Sequence, residues 1–421
     1  MSAADGDKPK RPPHVVIVGA GFGGLACAKA LGGAPVFVTV IDRRNYHLFQ
    51  PLLYQVATAA LSPANIAVPI REVLRRHGNV RVVMGEVAGV DLERQEVSLA
   101  NGRQIGFDRL VVATGSEYHH FGHDDWAAHA PGLKSLDEAR AIRRRLLAAY
   151  EEAEAIRDPA RQAALMTSVV VGGGPTGVEM AGAIAELVRW TLAGEFRHID
   201  PKQSRIILAE AGPRILPGFT EPLGRFAERA LADHGVTIMT DSPVEEVTAE
   251  GVGIAGEFIP AATIVWGAGV KASPAARWLG VETDRGGRIP VNPDLSVPGH
   301  ANIFVIGDLA LAIGDDGLPL PGLAQVAKQQ GEHLGRALRR NLVRGAPMPP
   351  FRFRNRGNTA VIGRNAAVFD FGGRLFKGRL AWLLWALIHV YLLVGFGNRL
   401  LVSLQWVWRY FTHERSARLI S

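Results

Sequence analysis

Cysteine is nearly absent: one residue, Cys27, in a chain of 421. A single thiol excludes an intrachain disulfide framework, a Cys-x-x-Cys redox pair and a cysteine-ligated zinc or iron–sulfur centre. Any electron transfer by this chain therefore runs through an organic group. Cys27 itself falls inside a helical pattern where a small apolar residue is needed, which reads as core. The opening MSAADGDKPKRP has no apolar run of the kind a secretory signal carries, so a loose tail over residues 1–13 and a cytoplasmic setting are expected. Acid is scarce at the other end. From Phe371 onward Glu414 stands alone against Arg374, Lys377, Arg379, Arg399, Arg409, Arg415 and Arg418, in a chain of net charge +7. These bases are interleaved with Trp and Leu rather than Gly, Ser and Asn, which argues against nucleic acid and for an anionic membrane surface.

The composition is otherwise that of a globular protein with room for two or three domains. The stretch His14–Leu31, HVVIVGAGFGGLACAKAL, reads as a buried parallel strand, a glycine turn and a helix. Gly19, Gly21 and Gly24 have the G-x-G-x-x-G spacing, in which one glycine makes the turn, one admits a pyrophosphate and one lets helix and strand pack closely. A second strand ends at Asp42, where a carboxylate accepts ribose hydroxyls. The pattern then recurs. Ser168–Val171 reads as a strand, Gly172, Gly174 and Gly177 repeat the fingerprint, and Arg205–Ala209 ends in Glu210. Two such devices imply two dinucleotides, since each holds one. Glu210 favours a free 2′-hydroxyl and hence NADH, although Arg214 nearby leaves NADPH open.

Between and after these units the chain carries other local signals. Tyr46–Arg71 is a long segment broken by Pro51, Pro63 and Pro69, with Gln50 and Gln55 able to bond a ring edge or merely to satisfy loop backbone. Strands are expected at Val80–Val83, Glu96–Leu99 and Phe107–Val112, with a hairpin turn at Asn101-Gly102. The segment closes on Ala113-Thr114-Gly115-Ser116. A helix is expected over about Leu136–Ile156 with a charged, solvated outer face. After Ile264–Trp266 and the turn Gly267-Ala268-Gly269, the strand Asn302–Ile306 runs into Gly307-Asp308, so the first nucleotide unit is split and the second is inserted in it.

Two fingerprints, an ATGS turn and a late VIGD strand in this order resemble the two-dinucleotide-binding-domain flavoproteins. The stretches NYHLFQPLLYQVATAALSP, FGHDDWAAHAPGLKSLDEA and AQVAKQQG (Ala324–Gly331) narrow the resemblance to the type II NADH:quinone oxidoreductases. The disulfide-reductase and sulfide:quinone branches need paired or multiple cysteines and are set aside. The resemblance implies non-covalent FAD on Gly19, Gly21, Phe22, Gly23, Gly24, Asp42, Arg43, Gln50, Val87, Thr114, Gly115, Asp308 and Ala324. It implies NADH as substrate on Gly172, Gly174, Pro175, Thr176, Gly177, Glu210 and Gly269. Gln325 is placed near the quinone carbonyl, where a neutral amide donates without the penalty of a buried charge. An ordinary amphipathic helix would read similarly. Glu179 is placed beside the nicotinamide, with helix-dipole stabilisation as the competing reason for its position. No metal ligand set is read.

The tail, Leu380–Gly397 then Leu400–Phe411, holds four of the eight tryptophans: Trp382, Trp385, Trp406 and Trp408. The first part only touches the length of a spanning helix, about 20 residues, and it contains His389 and ends in glycine. Two helices lying in one leaflet are expected; the buried face of a dimer could look similar. The expected fold class is α/β: two Rossmann-like dinucleotide-binding domains, the second inserted in the first, plus C-terminal amphipathic membrane-anchoring helices. Its expected boundaries are an N-terminal tail at 1–13, FAD domain at 14–135 and 302–345, NADH domain at 136–301 and membrane region at 346–421. The expected activity is transfer of two electrons from NADH through FAD to a quinone, without proton pumping, by a homodimer on the cytoplasmic face of the cell membrane. A soluble ferredoxin-type reductase or a redox-sensing flavoprotein with the same core are the alternatives.

Overall fold

The structure, a computed structural model, describes residues 11–412, 415 and 417–420. Most of the expected N-terminal tail (residues 1–10) and Glu414 lie outside these. Contacts divide the chain into two units. One takes the N-terminal part as far as His47, Pro69–Glu117 and Lys271–Asn355; the other takes Leu48–Val68, Tyr118–Val270 and the chain from Arg356 onward.

The first unit begins with β1 (His14–Val18), α1 (Phe22–Leu31), β2 (Phe37–Asp42), β3 (Val80–Met84) and β4 (Arg109–Val112). In the second unit follow α2 (Leu136–Ala155), β5 (Thr167–Val171), α3 (Pro175–Glu186), β6 (Arg205–Ala209), β7 (Val236–Met239) and β8 (Thr263–Trp266). The chain returns to the first unit for β9 (His300–Val305) and α4 (Ala324–Arg344). It ends in the second with β10 (Asn358–Gly363), β11 (Ala366–Phe371), β12 (Arg374–Lys377), α5 (Gly378–Leu392) and α6 (Phe396–Thr412).

The first sheet runs β9-β4-β1-β2-β3, all parallel, with Ser296–Val297 added antiparallel at the β9 edge. Its inner strands are apolar and buried on both faces, as βαβ crossovers require. Residues 271–301, expected with the second nucleotide unit, cluster with the first. The reason is that the edge strand Ser296–Val297 pairs with β9, while Leu279, Ile289 and Val297 pack into the same core as β1 and β4. The expected strand Phe107–Val112 is shortened to Arg109–Val112, which joins the parallel sheet, and the hairpin's return strand is instead Gln104–Gly106, paired with Glu96–Leu99. Helices α1 and α4 cross at glycine. A Cβ on Gly331 would lie 2.0 Å from the Gly23 carbonyl oxygen, and one on Gly335 would lie 2.7 Å from that of Cys27. Cys27 is therefore buried at a backbone-to-backbone crossing, and burial pushes its thiol up to about 12, which leaves it inert.

The second sheet, β7-β6-β5-β8, is parallel throughout. Ahead of it, α2 starts at Ser135, whose hydroxyl oxygen accepts from the Glu138 amide while the Glu138 carboxylate accepts from Lys134 N–H and Ser135 Oγ, a reciprocal cap. The antiparallel sheet β10-β11-β12 packs on α3, where Gly182 meets the Ile362 carbonyl with no room for a side chain.

Helices α5 and α6 are two-sided. Ala381, Trp385, His389 and Val402 are buried, with Trp385 stacked on Trp406 at 5.0 Å. Leu380, Leu383, Leu387 and Tyr391 on α5 and Leu400, Leu404, Val407, Trp408 and Phe411 on α6 are exposed at helical spacing. No helix among the described residues is long and apolar enough to cross a membrane.

Candidate dinucleotide and electron-transfer sites

The two fingerprints have the same geometry. Gly19 and Gly172 take φ of +97° and +101°, and a Cβ on either would collide with the facing strand-end turn, at Ala113 and Ala268 respectively. Gly24 and Gly177 are pinned by packing: a Cβ on each would lie 1.8 Å from the carbonyl oxygen of the first glycine of its motif. The middle glycines differ. Gly21 and Gly174 cap α1 and α3 with extended backbone (φ −68° and −70°) open to any residue, and no other part of the chain lies within 4 Å of the place a Cβ would take. Neither conformation nor packing within the chain demands glycine there.

Each acid is held in the same way. Asp42 accepts from Ala20 N–H (2.7 Å) and Arg44 N–H (2.8 Å); Glu210 accepts from Gly173 N–H (2.6 Å) and Gly212 N–H (2.7 Å). Two backbone donors orient each carboxylate at the mouth of its turn and leave lone pairs for hydroxyl donors. Arg214 does not oppose Glu210: its guanidinium donates to the carbonyls of Pro217 and Phe219, at 2.7 and 3.0 Å. A 2′-phosphate at the second site would meet the Glu210 carboxylate, while the Arg214 guanidinium donates to backbone carbonyls.

Around the first turn stand Phe22, Gly23, Thr114, Gly115 and Asp308. Phe22 lies edge-on to His47 at 5.3 Å, and the buried His47 Nδ1 bonds the Ala20 carbonyl at 2.9 Å. His47 went unnoticed in the sequence, where nothing sets it apart from its neighbours. Thr114 Oγ1 pairs with Ser273, and Ser116 donates to Asp308 at 2.5 Å, bringing the ATGS turn and the late strand end together. Arg43 lies on the short turn after β2, between Asp42 and Arg44. Val87 is buried, paired with Leu99 in an antiparallel hairpin. Gln50 is exposed on a single 3₁₀ turn of the second unit, so this residue stands apart from the others of its set by contact cluster.

The AQVAKQQG segment opens α4, and its residues divide by task. Gln330 is buried and accepts from Gly307 N–H at 2.7 Å, fixing the loop that carries Asp308. Gln329 clamps the Arg354 backbone from both sides. Gly331 serves the helix crossing. Ala324 and Gln325 form the first turn and are half-buried.

A cavity in the second unit is lined by Tyr54, Gln55, Glu179, Glu186, Trp406 and Arg415 among others. Gln55 bonds at both ends of its amide within it, donating to Tyr54 Oη (2.9 Å) and accepting from Trp406 Nε1 (3.0 Å). Glu179, one turn into α3, accepts from Val361 N–H at 3.4 Å, and desolvation pushes its carboxyl up to about 8. It is neutral at pH 7. Arg415, expected to face lipid, is instead buried, donating to the carbonyls of Thr58 and Ala183 and pairing with Glu186 at 3.4 Å. Arg418 likewise pairs with Glu195. Basic residues left exposed beside the apolar face are Arg374, Lys377 and Arg379.

Residues 13–331 match the family model for pyridine nucleotide-disulphide oxidoreductases. A protein of Mycobacterium tuberculosis described as type II NADH:quinone oxidoreductase Ndh is 42% identical over 98% of this chain and 91% of its own length. The chain belongs to the type II NADH:quinone oxidoreductases. A second M. tuberculosis relative, NdhA, is 44% identical over 93% of this chain and 86% of its own. The structure of NDH2 from Plasmodium falciparum in complex with NADH has the same fold, with a TM-score of 0.87 at 19% identity, covering 97% of this chain and all of that one. Within its superfamily this type II oxidoreductase keeps the paired nucleotide cradles and lacks the disulphide, having one buried cysteine.

Proposed function

We propose that the chain transfers two electrons from NADH through bound FAD to a membrane quinone, as a peripheral enzyme with no proton translocation coupled to the reaction. The observation that carries this reading is the pair of open cradles, each with a glycine the chain itself does not need and a carboxylate already oriented by two backbone donors. The donor set fits FAD at the first. Gly19, Gly21, Phe22, Gly23 and Gly24 with the α1 N-terminus suit its pyrophosphate, Asp42 its ribose, Arg43 and Val87 its adenine end, and Thr114, Gly115, Asp308 and Ala324 the remainder. FAD, once bound, supplies acceptance of hydride from NADH and its passage as electrons to the quinone.

The chain binds, orients and shields. Gly172, Gly174, Pro175, Thr176 and Gly177 seat the NADH pyrophosphate and Glu210 a ribose, with Gly269 on the side of the nicotinamide. Gln325 donates its amide to the quinone carbonyl. Glu179 keeps a neutral, protonated carboxyl in the cavity at pH 7. The exposed apolar faces of α5 and α6 rest in the headgroup layer, with Arg374, Lys377 and Arg379 against anionic lipid. NADH is an intracellular reductant, which places this face on the cytoplasmic leaflet.

Stopped-flow absorbance of the holoenzyme tests the proposal. Flavin absorbance should bleach with NADH, bleach far more slowly with NADPH, and recover when a quinone is added. A flavin-free protein, or reduced flavin that no quinone reoxidises, contradicts it; the latter result would favour a sensor.

Glu179 adds a pH signature. Its pKa is raised, so the neutral form holds below about 8 and is lost above it. Turnover using that form falls with a limb near 8 in the parent, and Glu179→Gln, neutral at every pH, lacks the limb. Because the folded state disfavours the charged carboxyl, stability also declines as pH rises from the ordinary carboxylate range through about 8. Glu179→Gln flattens that decline, which thermal melts across pH will read.

A further inference from the structure

The turn His119–Gly122 has no part in the assignments above, yet it is built against the second nucleotide cradle. Trp266 Nε1, at the end of β8, donates to the His119 carbonyl (3.2 Å), and His119 N–H donates to the Gly269 carbonyl (3.3 Å). At its tip Phe121 takes φ +53° and Gly122 φ +99°. A left-handed conformation costs a bulky aromatic residue of order 1–3 kcal/mol, and it persists only where the surroundings impose it. Despite this Phe121 is 60% exposed. Its ring lies against the Gly269 Cα, where a Cβ would come within 2.5 Å of Phe121 Cζ. The chain thus strains its backbone to hold an aromatic face open to solvent over a glycine.

Sheet order says which part of a ligand that face would meet. The order β7-β6-β5-β8 reverses direction of growth between β5 and β8, and an extended dinucleotide lies across such a point. Its pyrophosphate sits at Gly174, between them. Glu210, at the end of β6, takes the ribose on one side. The other half must extend beyond β8, whose end is the turn Gly267–Gly269 under Phe121.

We propose that Phe121 stacks on the nicotinamide ring of NADH, making it a binding residue of the substrate's reactive half. The inference rests on the reading that the second cradle holds NADH. A flat heteroaromatic ring gains from an exposed phenyl face both by covering apolar area and by offset stacking. The absence of a side chain at Gly269 makes room for the Phe121 ring itself, whose Cζ would lie 2.5 Å from a Cβ there.

ADP-ribose, which has every part of NADH except the nicotinamide, separates the possibilities. With purified full-length holoenzyme, Phe121→Ala should weaken NADH about tenfold, read as KM and as equilibrium affinity, and leave inhibition by ADP-ribose unchanged. Phe121→Tyr, which keeps the ring, should stay within about twofold of the parent. Phe121→Leu, which keeps volume but not the aromatic face, should behave like the alanine variant and serves in its place if that variant does not fold. Unchanged NADH affinity in Phe121→Ala overturns the proposal. Equal weakening of NADH and ADP-ribose also overturns it, since the turn would then be merely structural. Glu210→Ala should weaken both ligands; if it moves neither, the placement of NADH at the second cradle fails, and the role of Phe121 with it.

Discussion

Gly21→Val should fold as the parent does and carry almost no flavin, while Gly174→Val should keep its flavin and lose its hold on NADH. Both positions have extended backbone that valine adopts freely, and neither has another part of the chain within 4 Å of the added carbon. The folded protein therefore tolerates the change. The branched side chain occupies the volume through which a pyrophosphate reaches the helix N-terminus, and moves it beyond hydrogen-bond reach. We expect FAD content below roughly a tenth per chain for Gly21→Val, and a rise of at least about a hundredfold in the KM for NADH for Gly174→Val. The contrasting control is Gly24→Ala, whose added carbon would lie 1.8 Å from the Gly19 carbonyl oxygen. That variant should lose about 3 kcal/mol of stability or fail to fold, because only backbone can yield. If Gly21→Val binds flavin normally, the first cradle is not the flavin site.

Charging the outer faces of α5 and α6 should release the protein from membranes without damaging the enzyme's core. Leu387 and Trp408 are 69% and 63% exposed, whereas Trp385 and Val402 on the same helices are buried. Leu387→Glu with Trp408→Glu removes two apolar contacts of roughly 1.5–3 kcal/mol each and adds like charge toward anionic lipid. Co-sedimentation with vesicles containing anionic phospholipid should fall at least about a hundredfold. Reduction by NADH should be unaffected, and turnover of long-tailed quinone should fall with membrane binding. Should vesicle binding persist while the molecular mass in detergent-free buffer drops by half, the face is a subunit interface and the membrane reading is wrong.

What was legible in the chain, and what was not, follows the distance over which each feature is determined. The strand–turn–helix at Val15–Leu31 and its copy at Ser168–Glu186 are local units. Their spacing requirements are met within about 20 residues, and the structure shows the first and third glycines of both in the same roles. Strand ends at Asp42 and Glu210 belong to the same short-range logic. So does the two-sided pattern of α5 and α6, because helical periodicity alone sets which residues share a face. The hairpin at Asn101-Gly102 was legible as a turn, but its return strand was misplaced. An apolar run such as Phe107–Val112 carries no mark of where one sheet ends and another begins.

Composition, one cysteine and two fingerprints were enough to specify an α/β protein with paired nucleotide cradles and no thiol chemistry. Tertiary structure alone decided which side chains are available for function. Glu179 favours its neutral form because burial in the cavity desolvates it, and the opposing hydrogen bond from Val361 N–H, 182 residues away, is the smaller effect. Gln329 and Gln330 are spent on Arg354 and Gly307. Arg415 turns inward to Glu186, although in sequence it continues a basic, lipid-facing tail. Burial and ion pairing are properties of whatever distant segments meet a residue, and no local spacing records them.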